Sequence, residues 1–258
     1  FPCQDLSLAG GGAGLRGKRS GTFWPFWDII LNLKKEGREP SLIVLENVCG
    51  TLTSHDGKDF SSISSEFEKA GYRFGAVVID AALFLPHSRP RLFFIATKQC
   101  IQLPANLSSE TPDNIWHTRA LRNGFEKLPK KTQKNWIWWN IAAPKARKKT
   151  FADLIEENPE SVEWHTKEQT QQLLSMMSDI NLKKVQAARK TKQKVVGTIY
   201  KRTRKDQSGK KVQRAEIRFD DINGCLRTPA GGSSRQLIIV VEGNKVRTTL
   251  NTNRNASA

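Results

Sequence analysis

The chain has 258 residues, with 42 Lys and Arg against 25 Asp and Glu, for a formal net charge of +17. That length suffices for one large or two smaller domains, and neither an apolar run near the ~18 residues of a membrane span nor a basic-then-apolar leader is seen. Cys3, Cys49, Cys100 and Cys225 are far apart, with no Cys-x-x-Cys and no nearby His pair, which argues against a zinc site or disulfide scaffold and for a reducing, cytoplasmic setting.

The charge is uneven. Residues 1–100 hold 12 basic and 10 acidic residues, a net of +2, so the remaining 158 carry +15. Arg119 to Thr150 has 10 basic residues against Glu126 alone, and Lys183 to Arg218 has 14 against Asp206 and Glu216. A single Lys-rich run is often only a solvated face. Two in one half, beside a nearly neutral half, point to a polyanion such as nucleic acid.

In chain order, a glycine-rich loop precedes a predicted helix from Phe23 to Leu33, with Pro25 in its first turn and Gly37 just past its end. Leu42 to Leu45 reads as a buried strand, Ser61 to Gly71 as a helix, and Phe74 to Asp80 and Leu92 to Thr97 as strands. This alternation predicts an α/β fold with an open, mostly parallel sheet, in which ligands sit beyond strand ends. Glu46 and Asn47 fall there. A boundary is expected near residue 101, separating a domain over 1–101 from a smaller, irregular one over 102–241. In the latter, Thr166 to Lys194 is predicted helical in two pieces broken near Asp179 to Asn181. Val195–Tyr200, Val212–Phe219 and Leu237–Val241 read as strands. Residues 242–258 are expected to be an irregular or frayed tail.

Three segments carry chemistry. Cys3 stands between Pro2 and the polar Gln4 and Asp5, ahead of Gly10-Gly11-Gly12-Ala13-Gly14. A free cysteine is most often a small buried hydrophobe; a cation such as Arg89 or Arg91 would favour its thiolate instead. Gly12-x-Gly14-x-x-Gly17 matches a dinucleotide fingerprint in form only, because no strand precedes it; a lid over substrate suits these glycines better. Glu46 closes an apolar strand, where a carboxyl is either structurally paired or able to hand a proton to a ring nitrogen. Arg89 and Arg91 flank Pro90 on an extended segment and are expected to point the same way, as a surface pair or as a clamp on a carbonyl or phosphate.

Pro2-Cys3-Gln4, Glu46-Asn47-Val48 and Arg89-Pro90-Arg91, in this order, resemble motifs of the DNA cytosine-5 methyltransferases of bacterial restriction–modification type. Gly17 to Phe23 and Gly224 to Gln236 resemble two further motifs of that family. The resemblance implies a partial Rossmann-like methyltransferase sheet with a smaller, irregular target-recognition domain, S-adenosyl-L-methionine as cofactor, and double-stranded DNA as partner in a bacterial, nucleoid-associated setting. It implies that Cys3 adds to C6 of a flipped cytosine, that Glu46 holds the ring through N3 and the exocyclic amine, and that Arg91, assisted by Arg89, binds the base carbonyl. Pro2 and Phe23 would touch the cofactor, and Gln4, Ser7, Arg19, Arg227, Ser233, Ser234, Arg235 and Gln236 the DNA.

His87 stands where the family usually has Gln. The chain begins at Phe1, and the expectation is of a fragment or split subunit lacking the N-terminal cofactor motifs and the C-terminal helix, completed by a complementary chain. An inactive DNA-binding remnant and a tRNA cytosine-5 methyltransferase relative are the competing readings. A Cys-dependent hydrolase lacks a local histidine pattern.

Overall fold

A computed structural model describes residues 1–6, 13–156, 159, 162–206, 208–225 and 236–250. The chain divides into two compact units, residues 1–80 with 90–144, and residues 81–89 with 145–258. Among the described residues, no helix is long and apolar enough to cross a membrane.

In the first unit, α1 (Phe23–Lys35) buries Phe23, Trp27 and Ile30, a stripe at helical spacing. Strands β1 (Leu42–Val48), β2 (Tyr72–Asp80) and β3 (Pro90–Lys98) form a sheet in the order β1-β3-β2, with helix α2 (Lys58–Lys69) between β1 and β2 in sequence. Both pairings are antiparallel, so β1 and β2 share a direction while β3 runs against both. The mostly parallel pairing expected from the alternation is therefore not what these strands make. β3 follows β2 after a short connection rather than a helical crossover, and only an antiparallel partner is in reach of so short a link.

One face of this sheet carries Ile43, Leu45, Phe74, Ala76, Leu92, Phe94 and Ala96 into a core shared with Trp27, Phe60, Ile63 and Phe67. On the other face of β1, Leu42 and Val44 are 57% and 53% exposed. Thus the apolar run is buried on one side only, not on both.

The unit continues past residue 101, where the boundary was expected, through the two-residue strand β4 (Ser108–Ser109), α3 (Arg119–Glu126), the single turn α4 (Lys130–Gln133) and β5 (Trp138–Trp139). The reason is a backbone graft onto β2. Phe74 N–H donates to the Asn135 carbonyl at 2.9 Å and Ile137 N–H to the Phe74 carbonyl at 2.7 Å. This close approach needs a residue without Cβ at Gly75, where an added methyl would stand 1.9 Å from the Ile137 carbonyl oxygen.

The second unit is more regular than expected. Helix α5 (Lys167–Ser175) starts with a reciprocal Thr166–Gln169 capping box, and α6 (Asp179–Lys190) follows. Strands β6 (Lys194–Lys205), β7 (Lys211–Arg218), β8 (Gln236–Glu242) and β9 (Lys245–Leu250) make an antiparallel sheet in the order β7-β6-β8-β9. Leu173, Leu174, Met177 and Val185 pack on one face, against Ile199, Ile217, Leu237 and Ile239. Phe151 covers Val196, Ile238 and Val240 on the other. Residues 245–250, expected to begin the tail, are strand β9; residues 251–258 lie outside the described residues.

Replacing Gly75 by Ala is expected to destabilise the first unit by about 2 kcal/mol or more, because rigid backbone must move; denaturant unfolding measures it. A second expectation concerns His117, which is 1% exposed and accepts the Asp113 N–H at Nδ1, 3.0 Å away. Burial pushes its pKa down, helped by Arg122 and opposed by Asp113. The unfolded chain therefore takes up this proton first as pH falls. Stability should be complete above the ordinary histidine value of about 6.5 and decline below it. The His117 imidazole resonances should stay those of the neutral ring where a free histidine titrates.

Candidate active site

The N-terminal segment is pinned at three points. Asn47, on the buried face of β1 at 1% exposure, donates from Nδ2 to the Phe1 carbonyl at 3.2 Å, while its Oδ1 accepts the Val48 N–H at 2.9 Å. The Asp5 carboxylate accepts the N–H groups of Arg19 and Ser20 at 3.1 and 2.9 Å, and Asp5 N–H donates to Ser20 Oγ at 3.1 Å. Leu6 is buried in the core and closes a turn through its N–H to the Cys3 carbonyl at 3.1 Å. Cys3 and Gln4 sit on this turn, half-buried and exposed respectively.

The same Asp5 ties off the glycine-rich segment, since Gly14 N–H donates to its carbonyl at 3.0 Å. A Cβ at Gly17 would stand 2.3 Å from the Asp5 carboxyl carbon, so only glycine passes there. Further on, the buried Asp59 carboxylate accepts Leu15 N–H at 3.2 Å, Ser54 Oγ at 2.5 Å and His55 Nδ1 at 2.8 Å. Both feet of the segment are thus held by carboxylates. Residues 7–12, with Ser7, lie outside the described residues.

Glu46 and Arg91 are brought together by register. Glu46 faces Phe93, and Val48 faces Arg91, so Glu46 and Arg91 are diagonal neighbours on one face, within reach of a long side chain. Arg91 Nε lies 2.9 Å from Glu46 Oε1, with side-chain exposures of 18% and 48%. Glu46 is thus a half-open, ion-paired carboxylate, where partial desolvation was the expectation. The strand's alternation turns Glu46 outward while Ile43, Leu45 and Asn47 turn in. An ion pair this open contributes about 1 kcal/mol or less to folding, and it leaves an acceptor and a donor side by side on the open face of the sheet.

Cys49 is a second thiol close to this pair. Burial pushes its pKa up, against the pull of Arg91 and with the repulsion of Asp80; it is a poor source of thiolate.

Other expected site residues are placed differently. Phe23 is 0% exposed, enclosed by Phe1, Trp24 and Trp27 at ring distances of 5.4, 5.1 and 5.8 Å. Pro2 is exposed. Arg89 belongs to the second unit and donates from Nη1 to Cys225 Sγ at 3.6 Å. Gln236 is 4% exposed and donates to the Tyr200 hydroxyl. It is buried at the start of β8, a strand covered on both faces. Arg19 is exposed. Arg227, Ser233, Ser234 and Arg235 lie outside the described residues.

With this geometry in view, residues 1–254 match the profile of the family described as C-5 cytosine-specific DNA methylase. The chain belongs to that family. Type II methyltransferase M2.BsuMI of Bacillus subtilis (strain 168) is 38% identical over 98 residues, 38% of this chain and 25% of that protein. Type II methyltransferase M.NgoFVII of Neisseria gonorrhoeae is 35% identical over 99 residues, again 38% of this chain and 25% of that protein. The matched stretch thus spans about a quarter of these relatives' length. A crystal structure of the S. pombe Dnmt2 methyltransferase is similar at a TM-score of 0.38 and 14% identity, over 68% of this chain and 43% of that chain, too weak a likeness to carry inference.

Asp5, Ser20, Asn47 and Asp59 position these segments; Asp5 and Asn47 stand out in the sequence only as neighbours of Cys3 and Glu46, and Ser20 and Asp59 not at all. One signal was present for Asn47: a polar residue at the third buried position of an alternating strand. Alkylation is expected to separate the two thiols. Cys49 should react more slowly than Cys3 at pH values near the ordinary thiol value of about 8.5, as measured by peptide mapping after iodoacetamide pulses.

Proposed function

We propose that this chain carries the nucleophile and the ring-holding groups of a cytosine-5 DNA methyltransferase. The observation that carries the reading is the Glu46–Arg91 pair at 2.9 Å, on a strand whose next residue tethers the Pro2-Cys3 segment. An acid beside a guanidinium offers a protonatable acceptor and a donor side by side, the complement of N3 and O2 on a cytosine edge. The substrate is a cytosine swung out of duplex DNA, since C6 is not open to attack within the stack.

Cys3 Sγ adds as thiolate to C6, and the C5–C6 π electrons move to C5. Glu46, in its acid form, gives its proton to N3 as negative charge develops in the ring, and Arg91 holds the carbonyl oxygen. C5 is then nucleophilic and takes an electrophile. Loss of the C5 proton expels the thiolate and returns the N3 proton to Glu46. S-adenosyl-L-methionine is the methyl donor of this reading. Of the two residues expected to touch it, Pro2 is exposed and Phe23 is enclosed. A complementary chain or segment would supply the donor's pocket.

The addition has a readout that needs no donor. With C5 made nucleophilic, a solvent proton replaces the hydrogen there before the thiolate leaves. Duplex DNA tritiated at cytosine C5 should therefore release tritium to water in the presence of the chain. Cys3→Ser should abolish the release, and Glu46→Gln should slow it by about a hundredfold or more. Release that survives in Cys3→Ser, or none with the unaltered chain, overturns the reading.

A further inference from the structure

The connection between β2 and β3 holds two large apolar side chains out in solvent. Phe84 is 53% exposed and Leu85 59%, although the next residue, Pro86, is buried. A lone exposed apolar residue is ordinary; two large ones side by side at the tip of a loop mark a contact surface. The loop is not loose. Ala81 N–H donates to the Arg89 carbonyl at 3.4 Å and closes its neck, while Phe84 and Leu85 N–H both reach the Ala81 carbonyl, at 2.9 and 2.8 Å. Behind the tip, His87 N–H donates to the Leu85 carbonyl at 2.7 Å. Asn223, 6% exposed, clamps the return: its carbonyl accepts Ser88 N–H at 2.7 Å and its N–H donates to the Pro86 carbonyl at 2.8 Å.

Charge limits what can cover this tip. Residues 81–89 form one unit with 145–258, and these stretches together hold 25 Lys and Arg against 12 Asp and Glu, a net of +13. The loop itself contains no acid. A second copy of the chain, or any other cationic partner, is repelled by such a unit. The partner that fits is an array of negative charge with an apolar interior open to a wedge. Duplex DNA has both, phosphates outside and stacked bases within, and Phe and Leu are side chains that other proteins insert between its base steps. An anionic membrane offers the same pair of properties; membership of a DNA methylase family decides for DNA.

We propose that Phe84 and Leu85 form a wedge that enters duplex DNA at a base step, while cations of the same unit hold the phosphates. This inference rests on the DNA partner of the preceding reading and not on its chemistry. Because bonded main chain already fixes the tip, the ordering cost of insertion is small. Insertion of apolar side chains displaces no counterions, so its contribution to affinity is independent of salt, unlike that of the phosphate contacts.

The test is binding of the full chain, over a range of salt concentrations, to duplex DNA, to heparin and to vesicles of phosphatidylglycerol. Heparin is a polyanion without bases, and the vesicles offer an anionic surface over an apolar interior with no base stack. Phe84→Ala with Leu85→Ala should weaken duplex binding by about tenfold or more, and by the same factor at every salt concentration. Its heparin binding and Tm should match those of the unaltered chain, since both side chains are exposed. Phe84→Trp should keep the duplex affinity, and its added fluorescence should be quenched by duplex but not by heparin, as the indole stacks on bases. Unchanged duplex affinity in the double variant, an equal loss toward heparin, or added fluorescence that duplex leaves unquenched overturns the proposal. Vesicle binding that the double variant loses, with duplex binding retained, overturns it in favour of a membrane surface. Cys3→Ser should bind duplex as the unaltered chain does. Lost C5 exchange with the wedge's contribution intact would therefore count against the chemistry alone, and the converse against the wedge alone.

Discussion

The antiparallel middle strand is the constraint from which the site follows. β3 fixes its register against β1 through seven consecutive partners, from Leu42 with Thr97 to Val48 with Arg91. Because side chains alternate, this one register places Glu46 beside Arg91 on the open face and Asn47 in the core. A slip of one residue would reverse both assignments, burying a carboxylate and exposing the tether of the N-terminal segment. What prevents the slip is apolar: Ile43 and Leu45 must face the core that holds Phe94 and Phe67. The geometry of the polar site is therefore set by residues with no chemistry of their own.

Stability and function are assigned to different groups. The first unit is held by stacked and edge-on aromatic pairs, among them Phe60 with Phe94, Phe67 with Phe74 and Trp27 with Phe67, each worth about 0.5–1.5 kcal/mol beyond its burial. Against that, the half-exposed Glu46–Arg91 pair contributes little to folding. The polar groups that do matter for shape, the buried Asn47 and Asp59 and the half-buried Asp5, satisfy main-chain N–H and C=O groups on either side of the glycine-rich segment. They fix where that segment leaves and returns.

The sequence was legible where a pattern is local. The helix at Phe23, the strands from Leu42 and Phe74 and the motif order around Cys3, Glu46 and Arg91 all rest on spacing within a few residues. It was misleading where pairing is non-local. Four apolar residues from Leu42 to Leu45 read as a strand buried on both faces, yet Leu42 and Val44 are exposed; composition does not say which neighbours a strand receives. The graft of Asn135–Ile137 onto β2 left one trace, the glycine at 75, and a lone glycine in a strand has several explanations. Three strands of the second sheet were read close to where they lie, β6, β7 and β8. The fourth, β9 (Lys245–Leu250), was missed because its buried positions are Thr248 and Thr249 and not an apolar run.

The two basic blocks of the sequence, similar in count, differ in how their charge is spent. In the first unit, Lys127 pairs with Asp56 at 2.6 Å and Lys131 with Glu68 at 2.9 Å, while Arg122 donates to the His117 carbonyl and to Asn114. These cations stitch segments of one unit together. In the β6–β7 hairpin, the seven cations of residues 201–216 share two acids, one of which is occupied with the turn. The sheet even places like charges face to face. The surplus of the hairpin is +5 over residues 201–216, so most of the chain's net charge of +17 lies outside it. Exposed cations facing one another across a strand pair oppose the pairing they sit on, and here Glu216 offsets part of that by pairing with both Arg202 and Arg204.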